Sequence, residues 1–143
     1  MHLIRLVYAS KMTDSFVIEE VQSILSCSQQ NNPEKNITGA LCYSNHFFLQ
    51  CLEGSRVEVN ELYHHILTDN RHTDPAILQY VEIDQRDFEN WSMGFIPPAF
   101  VSGELISKYS GRAAFDPFSM SGQSCYLLLK ALAELGITDK LQS

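Results

Sequence analysis

One polar side chain stands inside an otherwise apolar strand. From Phe47 to Gly54 the chain reads Phe-Phe-Leu-Gln-Cys-Leu-Glu-Gly. Alternation puts Phe48, Gln50 and Leu52 on one face and Phe47, Leu49 and Cys51 on the other. Both faces are apolar, so the strand is expected to be covered on both sides. Gln50 then enters the interior with an amide that both donates and accepts. An unpaired buried amide costs about 1–3 kcal/mol, so a polar partner, protein or ligand, has to meet it. A backbone group would suffice for a lone glutamine. Here Tyr8, Asn31, Asn32, Trp91 and Met93 are placed to converge on it.

The elements that must position these residues follow from periodicity. Residues 2–9 read as a strand, with Ile4, Leu6 and Tyr8 facing one way and Leu3, Arg5, Val7 and Ala9 the other. Thr13, Asp14 and Ser15 offer a cap to a first helix over residues 16 to 30. Val17, Val21, Ile24 and Ser28 recur there at helical spacing, and Asn31 and Asn32 extend the stripe. Pro33 is expected to stop this helix. Ile37–Tyr43 and Phe47–Glu53 read as strands joined tightly through Ser44-Asn45-His46, a hairpin. Ser55-Arg56-Val57-Glu58 matches a capping box and opens a second helix with Val59, Leu62, Tyr63 and Ile66 on its apolar face. Asp69 to Thr73 and Pro75 end it. Ile77–Ile83 and Trp91–Ile96 read as the fourth and fifth strands. Trp91, Met93 and Phe95 share a face of the latter, and Pro97-Pro98 terminates it.

The order β-α-β-β-α-β predicts an α+β fold, an α/β sandwich of ferredoxin-like type with an added fifth strand and two helices on one sheet face. The tail predicts a short helix over Gly103–Tyr109, a loop over Gly111–Phe118, and a last helix from Ser119 or Ser121 to Leu135. Cys125, Leu128, Leu129, Leu132 and Leu135 form its apolar side, which would cover the second sheet face. The expected organisation is a domain over residues 1–98 with a helical extension over 99–143 packed on it. The first strand is expected beside the third and parallel to it, so that Tyr8 and Gln50 touch on the helix-covered face. A phenol beside an amide on an apolar floor suits a donor relay. Asn31 and Asn32 are placed to bond the imide edge of a flat heterocycle, with Ile24, Phe48 and Ile66 around its rings. An apolar pocket with a few convergent amides suits a cofactor.

Bulk properties narrow the classes. The chain has 143 residues, 45% hydrophobic and 19% charged, enough for one domain with a sizeable core. A net charge of −7 and no basic stretch argue against nucleic acid and against an anionic membrane surface. Met1 to Tyr8 lacks the apolar region of a signal peptide, and no apolar run approaches a membrane span. Cys27, Cys42, Cys51 and Cys125 show no metal-binding spacing and read as buried free thiols. A reducing cytoplasm is the expected compartment.

The ordered set Tyr8…Ser28…Asn31-Asn32…Phe47-Phe48-Leu49-Gln50…Leu52-Glu53-Gly54…Asp69…Arg71-His72…Trp91-Ser92-Met93 resembles the BLUF family, blue-light sensors that use FAD. The resemblance covers roughly residues 2–97, and the length and tail are most similar to the short PixD-type members. It implies FAD, with FMN as the alternative flavin. It also implies that Tyr8 gives an electron and a proton to the excited flavin, and that Gln50 bridges Tyr8 and the flavin N5/O4 edge. Asn32 would bond the imide O4/N3 side, Asn31 would line the ring with Ser28 nearby, and Trp91 and Met93 would report the change in Gln50. Asp69, Arg71 and His72 would hold the ribityl and phosphate portion. Relatives of this type often carry Arg at position 65. His65 here would make flavin retention pH-dependent, since histidine titrates near neutrality. The family picture is a switch rather than turnover, hence no enzyme, with output through strand five and the C-terminal helices. Relatives form homo-oligomers and bind a response-regulator-like protein.

Three other classes compete. His64, His65 and His72 raise a metal-binding module, yet adjacent helical residues point about 100° apart and chelate poorly together. A hydrolase of acylphosphatase type would need a phosphate-cradling loop, and Ala9 to Asp14 has Lys11 but no glycine. A cofactor-free interaction module is the remaining alternative, and the colour of the purified protein separates it from a flavoprotein.

Overall fold

Strands with two apolar faces belong in the middle of a sheet, and the computed structural model places them there. It describes residues 2–13, 30–69 and 72–136, His72 by its backbone only. The elements are β1 (Leu3–Met12), helical residues 30–35 (α1), β2 (Thr38–Ser44), β3 (Phe47–Ser55), α2 (Arg56–Ile66), β4 (His72–Ile83), β5 (Gly94–Ile96), α3 (Gly103–Tyr109) and α4 (Gly122–Gly136). The predicted helix over 16–29, with Ile24, Cys27 and Ser28, lies outside the described residues, as does Arg71.

The five strands form one mixed sheet of order β4-β1-β3-β2-β5. β1 pairs with β3 and with β4 antiparallel, β2 with β3 antiparallel, and β2 with β5 parallel. This corrects the expectation that β1 and β3 run parallel. β1 and β2 run the same way, and β3, reversed by its hairpin from β2, inserts between them. That hairpin turns through Asn45 (φ 51°) and His46 (φ 67°), the two positive-φ residues that a tight primed turn requires. Gly39 allows β2 its close approach to β3: a Cβ there would lie 2.0 Å from the Cys51 carbonyl oxygen.

Alternation along β1 and β3 separates two cores. Ile4, Leu6, Tyr8, Phe48 and Leu52 pack with Val59 and Tyr63 of α2 and with Met93 and Phe95. Val7, Ala9, Leu49 and Cys51 pack on the other face with Ile106 of α3 and Cys125, Leu128, Leu129 and Leu132 of α4. The fold is α+β and ferredoxin-like, as the element order implies.

Four boundaries depart from the sequence reading. The first helix continues past Pro33 to residue 35 and closes at Asn36 (φ 56°), where Ile37 N donates to Asn32 O and Asn36 N to Pro33 O. This is a Schellman closure with a left-handed asparagine, so the missing N–H of Pro33 removes one bond without ending the helix. β4 begins at His72 rather than Ile77. It is the sheet edge, where Pro75 leaves no partner strand unbonded, and Asp74 (φ 54°) accompanies register shifts against β1. β5 is three residues long, because the Trp91 and Ser92 carbonyls are taken by Gly39 N and Asn32 Nδ2. Trp91 and Met93 therefore precede β5, although Met93 and Phe95 still share the α2-side core. α4 reaches Gly136, but Leu135 is 59% exposed and belongs to no core. Among the described residues no helix is long and apolar enough to cross a membrane.

Candidate functional site

Tyr8 and Gln50 are direct cross-strand partners in the β1–β3 register. Both are buried, and the Tyr8 hydroxyl donates to Gln50 Oε1. Burial pushes the Tyr8 phenol well above the ordinary tyrosine range, and the neighbouring Tyr63 phenol and Asp69 carboxylate add to the effect. Tyr8 is thus a neutral donor, and its hydrogen bond fixes which end of the Gln50 amide faces it. The NH2 end turns to Met93, with Nε2 donating to Sδ over 3.2 Å. A thioether is a weak acceptor. Gln50 therefore holds one strong bond and one weak one in a buried setting. The Tyr63 ring closes the site edge-on to Tyr8 at 5.3 Å.

Asn32 is delivered by the last turn of α1. It is 1% exposed, its Nδ2 donates to Ser92 O at 2.8 Å, and its Oδ1 has no partner among the described residues. Ser10 is buried with an Oγ that likewise has no partner among the described residues. Its register partner is Phe48, which packs in the α2-side cluster, so Ser10 lies on the Tyr8 face. Two orphaned polar atoms on one face of an apolar core would be costly if left so. Their chemistry fits a flat ligand that presents hydrogen-bonding groups.

The structure brings Tyr8, Gln50 and Met93 into contact and sets Asn32, Phe48, Ile66 and Tyr63 on the same side. Asp69 is half-buried and near enough for its charge to act on Tyr8. Trp91 is half-buried, while Asn31 and His65 are exposed. Ile24, Ser28, Arg71 and the His72 side chain lie outside the described residues. The sequence reading passed over Ser10, although alternation from Tyr8 already places it. It quoted Glu53 in the motif but gave it no role; Glu53 is fully buried and accepts from Asp87 N (2.7 Å), Phe88 N (2.9 Å) and the Thr38 hydroxyl (3.1 Å).

A family model described as sensors of blue-light using FAD matches residues 3–94. The chain belongs to the BLUF family. The photoactivated adenylate cyclase subunit alpha of Euglena gracilis is 36% identical over 84 residues, 59% of this chain and 8% of that protein. Its Euglena gracilis subunit beta counterpart matches over 11% of its own length, so the chain spans about a tenth of these curated relatives. Among solved structures, BlsA in its photo-activated state superposes with a TM-score of 0.86 at 27% identity, covering 97% of this chain and 99% of that one. A bacterial light-regulated adenylyl cyclase gives a TM-score of 0.64 at 43% identity, over 66% of this chain and 28% of that one. This BLUF chain thus belongs to a family of flavin-using blue-light sensors; its likeness to the cyclases is confined to a small part of them, whereas BlsA is matched almost end to end.

Proposed function

We propose that this BLUF chain senses blue light through a non-covalently bound flavin, with Tyr8 as electron and proton donor and Gln50 as the group that switches. The observation that carries this reading is the buried Tyr8–Gln50–Met93 chain beside the orphaned Asn32 Oδ1. Asn32, with Asn31 and Ser28, would hold the imide side. Ile24, Phe48 and Ile66 would pack on the rings, and Asp69, Arg71 and His72 would face the ribityl and phosphate portion. His65, being exposed, is the weakest of the proposed clamps.

A bound flavin supplies blue-light absorption and, once excited, an electron acceptor. The protein side is set by burial. Phenolate is strongly disfavoured at Tyr8, so an electron leaves this side chain together with its proton. Gln50 Oε1 is the acceptor already in place. Return of the electron and proton restores Tyr8. Reorienting or tautomerising the Gln50 amide forfeits little at Nε2, because its partner there is a thioether. A single changed hydrogen bond is worth about 1 kcal/mol, so the output element must be close to balance.

The proposed division is a sensing domain over residues 1–98 and an output extension over 99–143. Buried free thiols at Cys42, Cys51 and Cys125 suit a reducing cytoplasm. Homo-oligomers and a response-regulator-like partner are proposed by family analogy. The test is the absorption spectrum of the purified protein before and after blue light, with the released flavin identified by mass as FAD or FMN. A yellow protein with a small reversible red shift supports the reading. A colourless protein that takes up neither flavin refutes it and returns the cofactor-free interaction module.

A further inference from the structure

The turn that delivers Asn32 is fastened from outside its own helix. α1 closes over residues 32–37, with Ile37 N donating to Asn32 O and Asn36 N to Pro33 O. A cation beside the last carbonyls of a helix is favourable, and one is present: Arg86 Nη2 donates to Asn36 O at 2.7 Å. Nη1 of the same guanidinium donates to Glu53 O at 3.0 Å and to the Thr38 hydroxyl at 2.8 Å. Thr38 in turn donates to Glu53 Oε1 at 3.1 Å. One side chain thus joins the end of α1, the start of β2 and the end of β3. Arg86 is itself seated, because the next two backbone amides, Asp87 N and Phe88 N, are held by the Glu53 carboxylate. Gly54 packs against the same turn; a Cβ there would lie 3.3 Å from Asn36 O.

We infer that Arg86 is a positioning residue for the flavin site: it fixes the closing turn of α1 and, through that turn, the direction in which Asn32 presents Oδ1. This deepens the flavin-binding reading and rests on it. The Asn32 amide has two ends. Nδ2 is spent on Ser92 O at 2.8 Å, and Oδ1 is the atom left to face a ligand. Hydrogen bonds weaken steeply when misaligned, so a tilt of the turn is felt at Oδ1 before it is felt by the fold. Arg86 and Ser92 both belong to the connection between β4 and β5. They hold the turn at Asn36 O and at Asn32 Nδ2, near its two ends, so it cannot pivot about a single contact. Arginine suits the task, because its planar fork reaches separate acceptors at once in fixed directions. Glutamine has one short amide and no charge. The partners of Arg86 among the described residues do not include Tyr8, Gln50 or Met93. Its influence on a bound flavin therefore passes through Asn32.

The test is a double-mutant cycle on flavin affinity. The full chain is titrated with FAD and with FMN as wild type, Arg86→Gln, Asn32→Ala, the double variant and Arg56→Ala, each first shown to be folded by its urea transition. Arg56 pairs with Glu82 on the exposed surface and serves as the control for loss of a surface cation. Arg86→Gln should weaken binding by about threefold or more, near the low end of coupling within one hydrogen-bond network, while Arg56→Ala binds as the wild type does. In the Asn32→Ala background the same Arg86 substitution should add no loss beyond that of Arg56→Ala. A second readout needs no flavin: amide exchange at Ile37, whose N–H closes the turn on Asn32 O, should quicken in Arg86→Gln and stay unchanged in Arg56→Ala. Should Arg86→Gln fail to fold, Arg86→Lys, which keeps the charge but not the fork, takes its place in the same cycle. Wild-type affinity in a folded Arg86 variant, a loss undiminished in the Asn32→Ala background, or unchanged exchange at Ile37 would each overturn the assignment of Arg86. A wild type that takes up neither flavin would instead overturn the flavin-binding reading beneath it.

Discussion

Replacing Glu53 should cost more stability than any other single polar change in the described part of this chain. Its carboxylate is fully buried, and both oxygens accept backbone N–H groups, Oε2 from Asp87 at 2.7 Å and Oε1 from Phe88 at 2.9 Å. Oε1 also takes the Thr38 hydroxyl, which is itself held by Arg86 Nη1 at 2.8 Å. Glu53→Ala strands the two backbone donors. Hydrogen bonds to a charged acceptor contribute about 1.5–3 kcal/mol each, so losing two predicts a destabilisation of roughly 3–6 kcal/mol. Thr38 is half-buried and can turn toward water, so it adds little. The loss is a large share of the roughly 5–15 kcal/mol that holds a domain folded. Glu53→Gln keeps one accepting oxygen but aims an NH2 at the other backbone donor, and should fall between wild type and Glu53→Ala. Urea unfolding measures this as a lower midpoint at unchanged slope. A loss below about 1 kcal/mol for Glu53→Ala, at the bottom of the range for a buried group left unsatisfied, would refute the view that this carboxylate holds the Asp87 and Phe88 backbone.

Alkaline pH should weaken the fold. Cys125 is pushed up to about 12 from an ordinary 9.0, and Tyr126 to about 12 from 10.0, both mainly by burial, while Tyr8, Cys42 and Cys51 also shift upward for the same reason. Between ordinary and raised values the unfolded chain has lost these protons and the folded chain keeps them. Stability from this source is complete below pH 9 and falls as pH rises above it, by up to about 1.4 kcal/mol per pH unit per group; a flat unfolding midpoint from pH 9 to 11 would contradict the burial of these groups. Asn32→Ala removes the orphaned acceptor and the Ser92 tie, so flavin should bind about tenfold more weakly if one neutral bond of about 1.4 kcal/mol is lost. Unchanged affinity in a titration would place Asn32 outside the site. Trp91→Ala should keep the red shift with an altered recovery rate, since Trp91 stands outside the Tyr8–Gln50–Met93 chain; loss of the shift in a folded, flavin-loaded variant would put Trp91 in the relay.

Period-2 patterning was enough to place Tyr8, Gln50 and the division of each central strand between two cores, because each side chain's face follows from its position alone. The same logic located the Asn45-His46 turn and the Ser55 cap, whose Oγ accepts from Glu58 N at 3.4 Å. Strand direction was not legible. Alternation is the same in parallel and antiparallel pairs, so β1 beside β3 was read with the wrong sense. The extent of β5 was lost because the carbonyls of Trp91 and Ser92 are claimed by residues more than 50 positions earlier. Glu53 was read as the end of an apolar strand, since nothing local shows the amides of Asp87 and Phe88 that satisfy it. Asp87 itself is one acidic residue in a polar loop until Arg5, Tyr126 and Lys130 are brought around it by the fold. Contacts between distant segments are the part that spacing does not encode.

The central claim is that Tyr8 is the electron source for a bound flavin and that Gln50 Oε1 accepts its hydroxyl proton. The most direct measurement is the light-minus-dark absorption difference of flavin-loaded Tyr8→Phe beside the wild type at equal flavin occupancy. Phenylalanine preserves the ring packed against Tyr63 and removes only the hydroxyl bonded to Gln50 Oε1. The account predicts a flavin-replete variant with no reversible red shift, while the wild type shows one. A full and reversible red shift in Tyr8→Phe would contradict it.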